Sequence, residues 1–168
     1  SAEAFMQSYF TVAKKARAKY PDIKLVGPIP ASEWQWYSWN NSKITFNGKS
    51  YVWLEYFIKR IAEEQAASGI RLLDVVDIHS YPNENKDEDI VQLHRIYFDT
   101  TYVYPGANGV KTTSPSGWDN NITKEFIFER CNRWLNQYMG KNHGVNFAVS
   151  EYGFTHNNAN VTAVSYAS

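Results

Sequence analysis

Cysteine is nearly absent. Cys131 is the only one in 168 residues, so a disulfide framework is excluded and the thiol reads as a small core residue of a helix. An excess of charge is missing too: lysine plus arginine number 17 and aspartate plus glutamate 17. That balance, with the basic residues scattered, implies neither nucleic acid nor a membrane surface as a partner. No apolar run is long enough to span a bilayer. No secretory leader is visible, and the chain opens on Ser1, as a processed or excised chain would. No glycine loop of the phosphate-cradling kind is present, nor a Gly-x-Ser-x-Gly elbow. No internal repeat or low-complexity tract stands out.

Aromatic residues are abundant instead: six Trp, twelve Tyr and nine Phe make up 16% of the chain. Such rings either fill a core or form a platform for a flat, uncharged ligand with apolar faces, such as a sugar chain. Composition alone favours the core reading, and position has to decide.

Apolar spacing predicts a helix over Glu3 to Tyr20, stopped by Pro21. Ile23 to Pro28 reads as a short buried strand, followed by a polar, Trp-rich loop from Ala31 to Lys49. A second helix is expected from Tyr51 to Ser68, with Gly69 as its C-terminal cap. Leu72 to Tyr81 reads as a strand closed by Pro82. A third helix is expected over Asp87 to Tyr97, since acidic side chains suit a first turn. Thr100 to Asp119 reads as a long loop, and Ile122 to Met139 as a fourth helix. The last strand is Asn146 to Gly153, and residues 155–168 show no clear period. Strands separated by helices predict an α/β fold with a parallel sheet. Three parallel strands leave both sheet edges open, so the pattern reads as the middle of a barrel.

The last strand carries one carboxylate to its C-terminal end, where a parallel barrel does its chemistry. Strict alternation puts Phe147, Val149 and Glu151 on one face, and Ala148, Ser150 and Tyr152 on the other. On the strand before it, Val75, Asp77, His79 and Tyr81 share a face. His79 and Tyr81 then line the cleft, or Asp77 and His79 are polar groups satisfied inside the barrel. No second His or Cys sits at ligand spacing from His79, so a metal reading is weak. In the Trp-rich loop, an extended Trp34-Gln35-Trp36 would project both rings to one side, as sugar platforms or as a lid. Glu33 is a further carboxylate near the cleft. Tyr102 and Trp118, in the long loop, are rim candidates, and His156 is a nearby residue that solvent would also suit. Asn40, Asn121 and Asn160 each open an Asn-x-Ser/Thr triplet.

Leu25-Val26-Gly27-Pro28, Glu33-Trp34-Gln35-Trp36-Tyr37, Arg71 to Pro82 and Ser150-Glu151-Tyr152, in this order, resemble glycoside hydrolase family 44 over about residues 2 to 154. The stretch Asp74 to Pro82 is the most specific part. The resemblance implies an α/β fold that is part of a (β/α)8 barrel, its strands here being the fifth to seventh. Residues 1–168 would then be a piece of one catalytic barrel, without its other strands or the family's accessory β-sandwich domain. It implies a retaining endo-β-1,4-glucanase or xyloglucanase with Glu151 as nucleophile. The acid/base glutamate of the family's Asn-Glu-Pro segment has no counterpart in this chain. A retaining mechanism needs two carboxylates about 5–5.5 Å apart. The resemblance therefore calls for a second polypeptide carrying the rest of the barrel, or for a longer enzyme of which this is an incomplete record. His79, Tyr81 and Tyr152 would shape the surroundings of Glu151, and Trp34, Trp36, Trp39, Tyr102 and Trp118 would contact the glucan. No cofactor and no metal are implied. The size of a polymeric glucan places the protein outside the cell. Two other classes stay open: a non-catalytic carbohydrate-binding module that keeps the aromatic platform, and a small α/β domain with a structural role.

Overall fold

The computed structural model describes residues 1–153 and 157–167. Helix α1 (Ala2–Lys19) begins at Ser1, whose hydroxyl accepts the Ala4 N–H at 3.2 Å, and buries Ala2, Met6, Phe10 and Ala13. These recur at helical spacing, so one stripe faces inward. Strand β1 (Val26–Pro28) follows, then the short helix α2 (Glu33–Tyr37) and the strands β2 (Ile44–Phe46) and β3 (Lys49–Tyr51). Helix α3 (Trp53–Ser68) buries seven residues on its inner side and ends at Gly69, whose φ of 70° is the left-handed cap expected there. Strand β4 (Val75–Ser80) leads to α4 (Asp87–Ile90) and to 3-10 turns at Leu93–Ile96 and Val110–Thr113. Helix α5 (Ile127–Met139) then precedes strand β5 (Asn146–Tyr152) and helix α6 (Ala159–Ala167).

The main sheet is parallel and ordered β1-β4-β5. Register pairs Gly27 with Val76, and Val76 with Phe147, so these side-chain positions share one face. All three packing helices that touch that face lie on the same side. A Cβ on Gly27 would meet Tyr9 of α1 and Phe57 of α3 at 3.2 and 3.4 Å, and Phe147 stacks on Phe128 of α5 with ring centroids 4.9 Å apart. Gly27 is glycine because two helices close on that spot. Val76 and Ile78 are fully buried beneath the helices, each fully buried aliphatic contributing about 1.5–3 kcal/mol. The opposite face is barer: Val26 is exposed, and Val75 and Ala148 are half-buried.

The α/β class and the parallel sheet are as expected from the sequence, and Cys131 is fully buried in α5. Four local expectations are corrected. The Trp-rich segment is not an extended loop, because Glu33 to Tyr37 closes a helical turn. The hairpin β2-β3 was not foreseen, although Asn47-Gly48 between the two strands, with φ of 49° and 74°, is a strong two-residue turn signal. The helix expected over Asp87–Tyr97 breaks after one turn into a 3-10 segment. Residues Ala159 to Ala167 form a helix where no period was legible. His156 lies outside the described residues. No helix among the described residues is long and apolar enough to cross a membrane.

Candidate active site

The C-terminal end of the sheet brings together three side chains. Glu151 Oε2 accepts the Tyr81 hydroxyl at 3.0 Å and stands 3.2 Å from His79 Nδ1. The His79 and Tyr81 rings meet edge to face at 6.5 Å. The Glu151 side chain is 56% exposed and that of His79 is 17% exposed. Hydrogen bonding to Glu151 raises the Tyr81 phenol above its ordinary range, since losing its proton would put two anions side by side. His79 is itself fixed through its main chain. Its N–H donates to Pro30 O, and its carbonyl accepts the Trp36 indole N–H at 3.1 Å.

Glu151 reaches this face only through an irregularity. Ile78 pairs with Val149, but His79 pairs with Glu151, so Ser150 is one residue too many on β5. This bulge reverses the alternation beyond it. Phe147 and Val149 share the helix-covered face, whereas Glu151 shares the opposite face with Asp77 and His79. The expectation that Phe147, Val149 and Glu151 lie together is corrected on this ground. Tyr152 pairs with Ser80 on the helix side and packs on Tyr166 at 5.3 Å, away from Glu151. It lines a cavity of about 370 Å³ with Phe98 and Val149.

The tryptophans separate. Trp36 is fully buried and lies in the core. Trp39 is half-buried, with Trp53 at 4.6 Å and Phe5 at 5.5 Å; together with Pro28 and Ile29 these three rings line a cavity of about 390 Å³. Trp34 lies on the far side of the Trp39–Ser42 turn, its indole N–H donated to Asn41. It shares a groove of about 460 Å³ with Trp118, Ser42, Lys43 and Ser116. Trp118 is 53% exposed. Tyr102 does not form part of a rim: it is buried beneath the Arg95 guanidinium, 4.6 Å from the ring centroid.

A second acidic cluster escaped the sequence reading, apart from Glu33 itself. Glu33 accepts the N–H groups of Gly109 and Val110 at 2.8 and 3.1 Å. Its neighbour Glu125 is 1% exposed and accepts the Tyr37 hydroxyl. Burial first, then the adjacent Glu33 carboxylate, push the Glu125 carboxyl well above the usual range. Burial likewise raises Glu33, against the two backbone N–H groups that favour its anion. The pair ties α2 to the long loop. Gly109 has no room for a Cβ, which would sit 2.8 Å from both Glu33 oxygens. Among the described residues no group of three or more His, Cys, Asp or Glu side chains converges on a metal position.

The model of glycoside hydrolase family 44 matches residues 1–84. No curated protein matches the sequence. Several solved structures match the fold. The family 44 endoglucanase Cel44A from Clostridium thermocellum superimposes with a TM-score of 0.79 at 18% identity, over 99% of this chain and 34% of its own. A family 44 xyloglucanase from Paenibacillus polymyxa, solved with xyloglucan, gives 0.74 at 17% identity, over 98% of this chain and 33% of its own. A family 44 endoglucanase from Clostridium acetobutylium gives 0.79 at 16% identity, with 99% and 34% covered. The chain thus spans about a third of the length of these structures, and shares their mixed α/β fold.

Proposed function

This chain belongs to glycoside hydrolase family 44, and from that membership we propose that it carries the nucleophile of a retaining enzyme acting on β-1,4-glucans. The observation that carries the reading is the carboxylate of Glu151. It stands half-open at the C-terminal end of β5, with one oxygen against Tyr81 and His79. Side chains at that end of parallel strands are where α/β barrels place their chemistry. Strands in the order β1-β4-β5, helices on one face and a barer opposite face support a segment of a (β/α)8 barrel, strands five to seven. Residues 1–168 are then part of a single catalytic barrel.

In this reading Glu151 attacks the anomeric carbon, and a glycosyl ester forms as the leaving oxygen departs. The Tyr81 hydroxyl and His79 hold one carboxylate oxygen and leave the other free to attack. The proton for the leaving oxygen comes from an acid/base carboxyl outside these residues, on the same or a second polypeptide, since Glu33 is committed to Gly109 and Val110. Water attacks the ester in the second step, with that same group as base. Trp34 and Trp118 offer ring faces to the C–H faces of glucose units, and Trp39 a partly covered one. The related xyloglucanase makes xyloglucan a natural second substrate beside cellulose-type chains. Such polymers lie outside the cell, and we assign the protein there.

The test is hydrolysis of soluble β-1,4-glucan followed by reducing ends, for the complete barrel including its acid/base carboxyl, unaltered and carrying Glu151→Gln. Loss of turnover with glucan binding kept supports the nucleophile; equal turnover in both sinks it. A second reading, a carbohydrate-binding module without turnover, is favoured by the Trp34–Trp118 groove, lined by hydroxyls and amides. It predicts glucan binding with no reducing ends from either protein.

A further inference from the structure

We propose that Asp77 is the positioning residue of this site: by holding the bulge at Ser150 it turns Glu151 onto the face of His79 and Tyr81. The inference rests on the reading of Glu151 as the nucleophile. A regular β5 would place residue 151 on the face of Val149, which the helices cover. The bulge reverses that, but it also leaves one main-chain N–H of β5 without its ladder partner. The Ser150 N–H is that group, and it donates to Asp77 Oδ1 at 2.9 Å. Asp77 is 2% exposed. Its own carbonyl accepts the N–H of Ile29, the residue just past β1, at 3.1 Å, so its main chain is fixed while its carboxylate reaches across to β5. An apolar side chain at position 77 would suit the buried strand position better but leave the Ser150 N–H without the acceptor that Asp77 supplies. The irregular register would then lose its support, and regular pairing would carry Glu151 away from His79 and Tyr81.

The experiment uses the complete barrel, with the acid/base carboxyl that lies outside these residues, and compares the unaltered protein with Asp77→Ala and Asp77→Asn. Steady-state hydrolysis of soluble β-1,4-glucan is expected to show kcat reduced about 100-fold in Asp77→Ala, with KM within about threefold. Asp77→Asn, whose amide oxygen accepts the same N–H, is expected to recover to within about tenfold of the unaltered kcat. A readout independent of turnover is the NMR titration of the Tyr81 ring, assigned by its loss in Tyr81→Phe. The phenol titrates above the ordinary tyrosine range while Glu151 is beside it, and is expected to fall back to that range in Asp77→Ala. Unchanged kcat together with an unchanged Tyr81 titration overturns the proposal. A protein that cleaves no glucan, yet shows the Tyr81 shift in Asp77→Ala, overturns the nucleophile reading and supports the positioning geometry. If Asp77→Ala does not fold, Asp77→Thr, a good strand residue whose hydroxyl is too short to reach Ser150, takes its place with the same expectations.

Discussion

Asp74 and Glu151 are carboxylates at opposite ends of the same small sheet, and they are held in opposite ways. Asp74 lies before β4 with its side chain 8% exposed. It accepts the Leu25 N–H at 2.8 Å, Arg17 Nη2 at 2.7 Å and Arg71 Nε at 2.7 Å. Arg71 continues to the carbonyls of His143 and Gly144, just ahead of β5. One carboxylate thus joins α1, β1, β4 and the entry to β5. Burial alone would raise its pKa, but these donors outweigh it and hold the carboxyl below the usual range. Glu151, by contrast, is 56% exposed, and among the described residues Tyr81 and His79 stand against it. A buried carboxylate taken up by two guanidinium groups and a main-chain N–H has little accepting capacity left for a substrate. One held on a single oxygen by a phenol and an imidazole keeps its other oxygen open to a substrate. In the proposed reading the N-terminal end of the sheet secures the fold and the C-terminal end is left open for chemistry, as in parallel barrels.

Substitutions at the two ends should therefore separate activity from stability. The largest effect is expected for Glu151→Gln, with kcat on soluble glucan down about 10⁴-fold or more while the urea midpoint stays within experimental error. Asp74→Ala should do the reverse. It strands a largely buried Arg17 and is expected to cost about 3 kcal/mol in urea unfolding, with little change in kcat for the protein still folded. An equal fall in kcat for both variants would abolish the distinction between the two ends. Tyr81→Phe removes one hydrogen bond to a charged group and is expected to lower kcat/KM about tenfold or somewhat more. Gly153→Ala is the mildest. Its Cβ would lie 3.2 Å from Cε1 of the Tyr81 ring, an exposed ring that gives by a few tenths of an ångström, so a loss of only a few-fold is expected.

The acidic clusters also differ in their response to pH. Asp74 has a folded pKa below its unfolded value of about 3.9, so its contribution is present above that value and lost as pH falls through the folded pKa. Glu125 has a folded pKa well above its unfolded value of about 4.3. Its contribution is complete below that value and is lost as pH rises through the folded pKa. Urea unfolding from pH 3 to 8 is expected to show Asp74→Asn flattening the acid limb and Glu125→Gln flattening the fall on the alkaline side. Parallel curves for Glu125→Gln and the unaltered protein would show that the Glu33–Glu125 pair does not bind a proton on folding.

The helices α1, α3 and α5 were legible in the sequence because each buries a stripe at helical spacing and two end at a glycine. The strands were legible as apolar runs between them. Tyr81 and His79, singled out from β4, stand beside Glu151 in the structure. Trp36 was not legible as a core residue. Its segment is polar and five residues long, too short for a period, and only the fold supplies the His79 carbonyl for its indole N–H. Tyr102 was misjudged for a similar reason, since nothing near it in sequence announces the Arg95 guanidinium that covers it. The Glu33–Glu125 pair joins residues 92 positions apart, through loop backbone that has no repeating pattern to read.

The sequence by itself determined the long helices α1, α3 and α5, the three sheet strands with their parallel α/β class, and the strand end on which a lone carboxylate stands. These follow from periodicity and from turn residues, which act over a few neighbours along the chain. Only the tertiary structure decided which face that carboxylate takes. The face depends on one extra residue in β5, and that residue is stable there because Asp77, on another strand, accepts the Ser150 N–H that the bulge releases. Alternation along a strand is a local rule, whereas register is set by hydrogen bonds between strands that lie far apart in the chain.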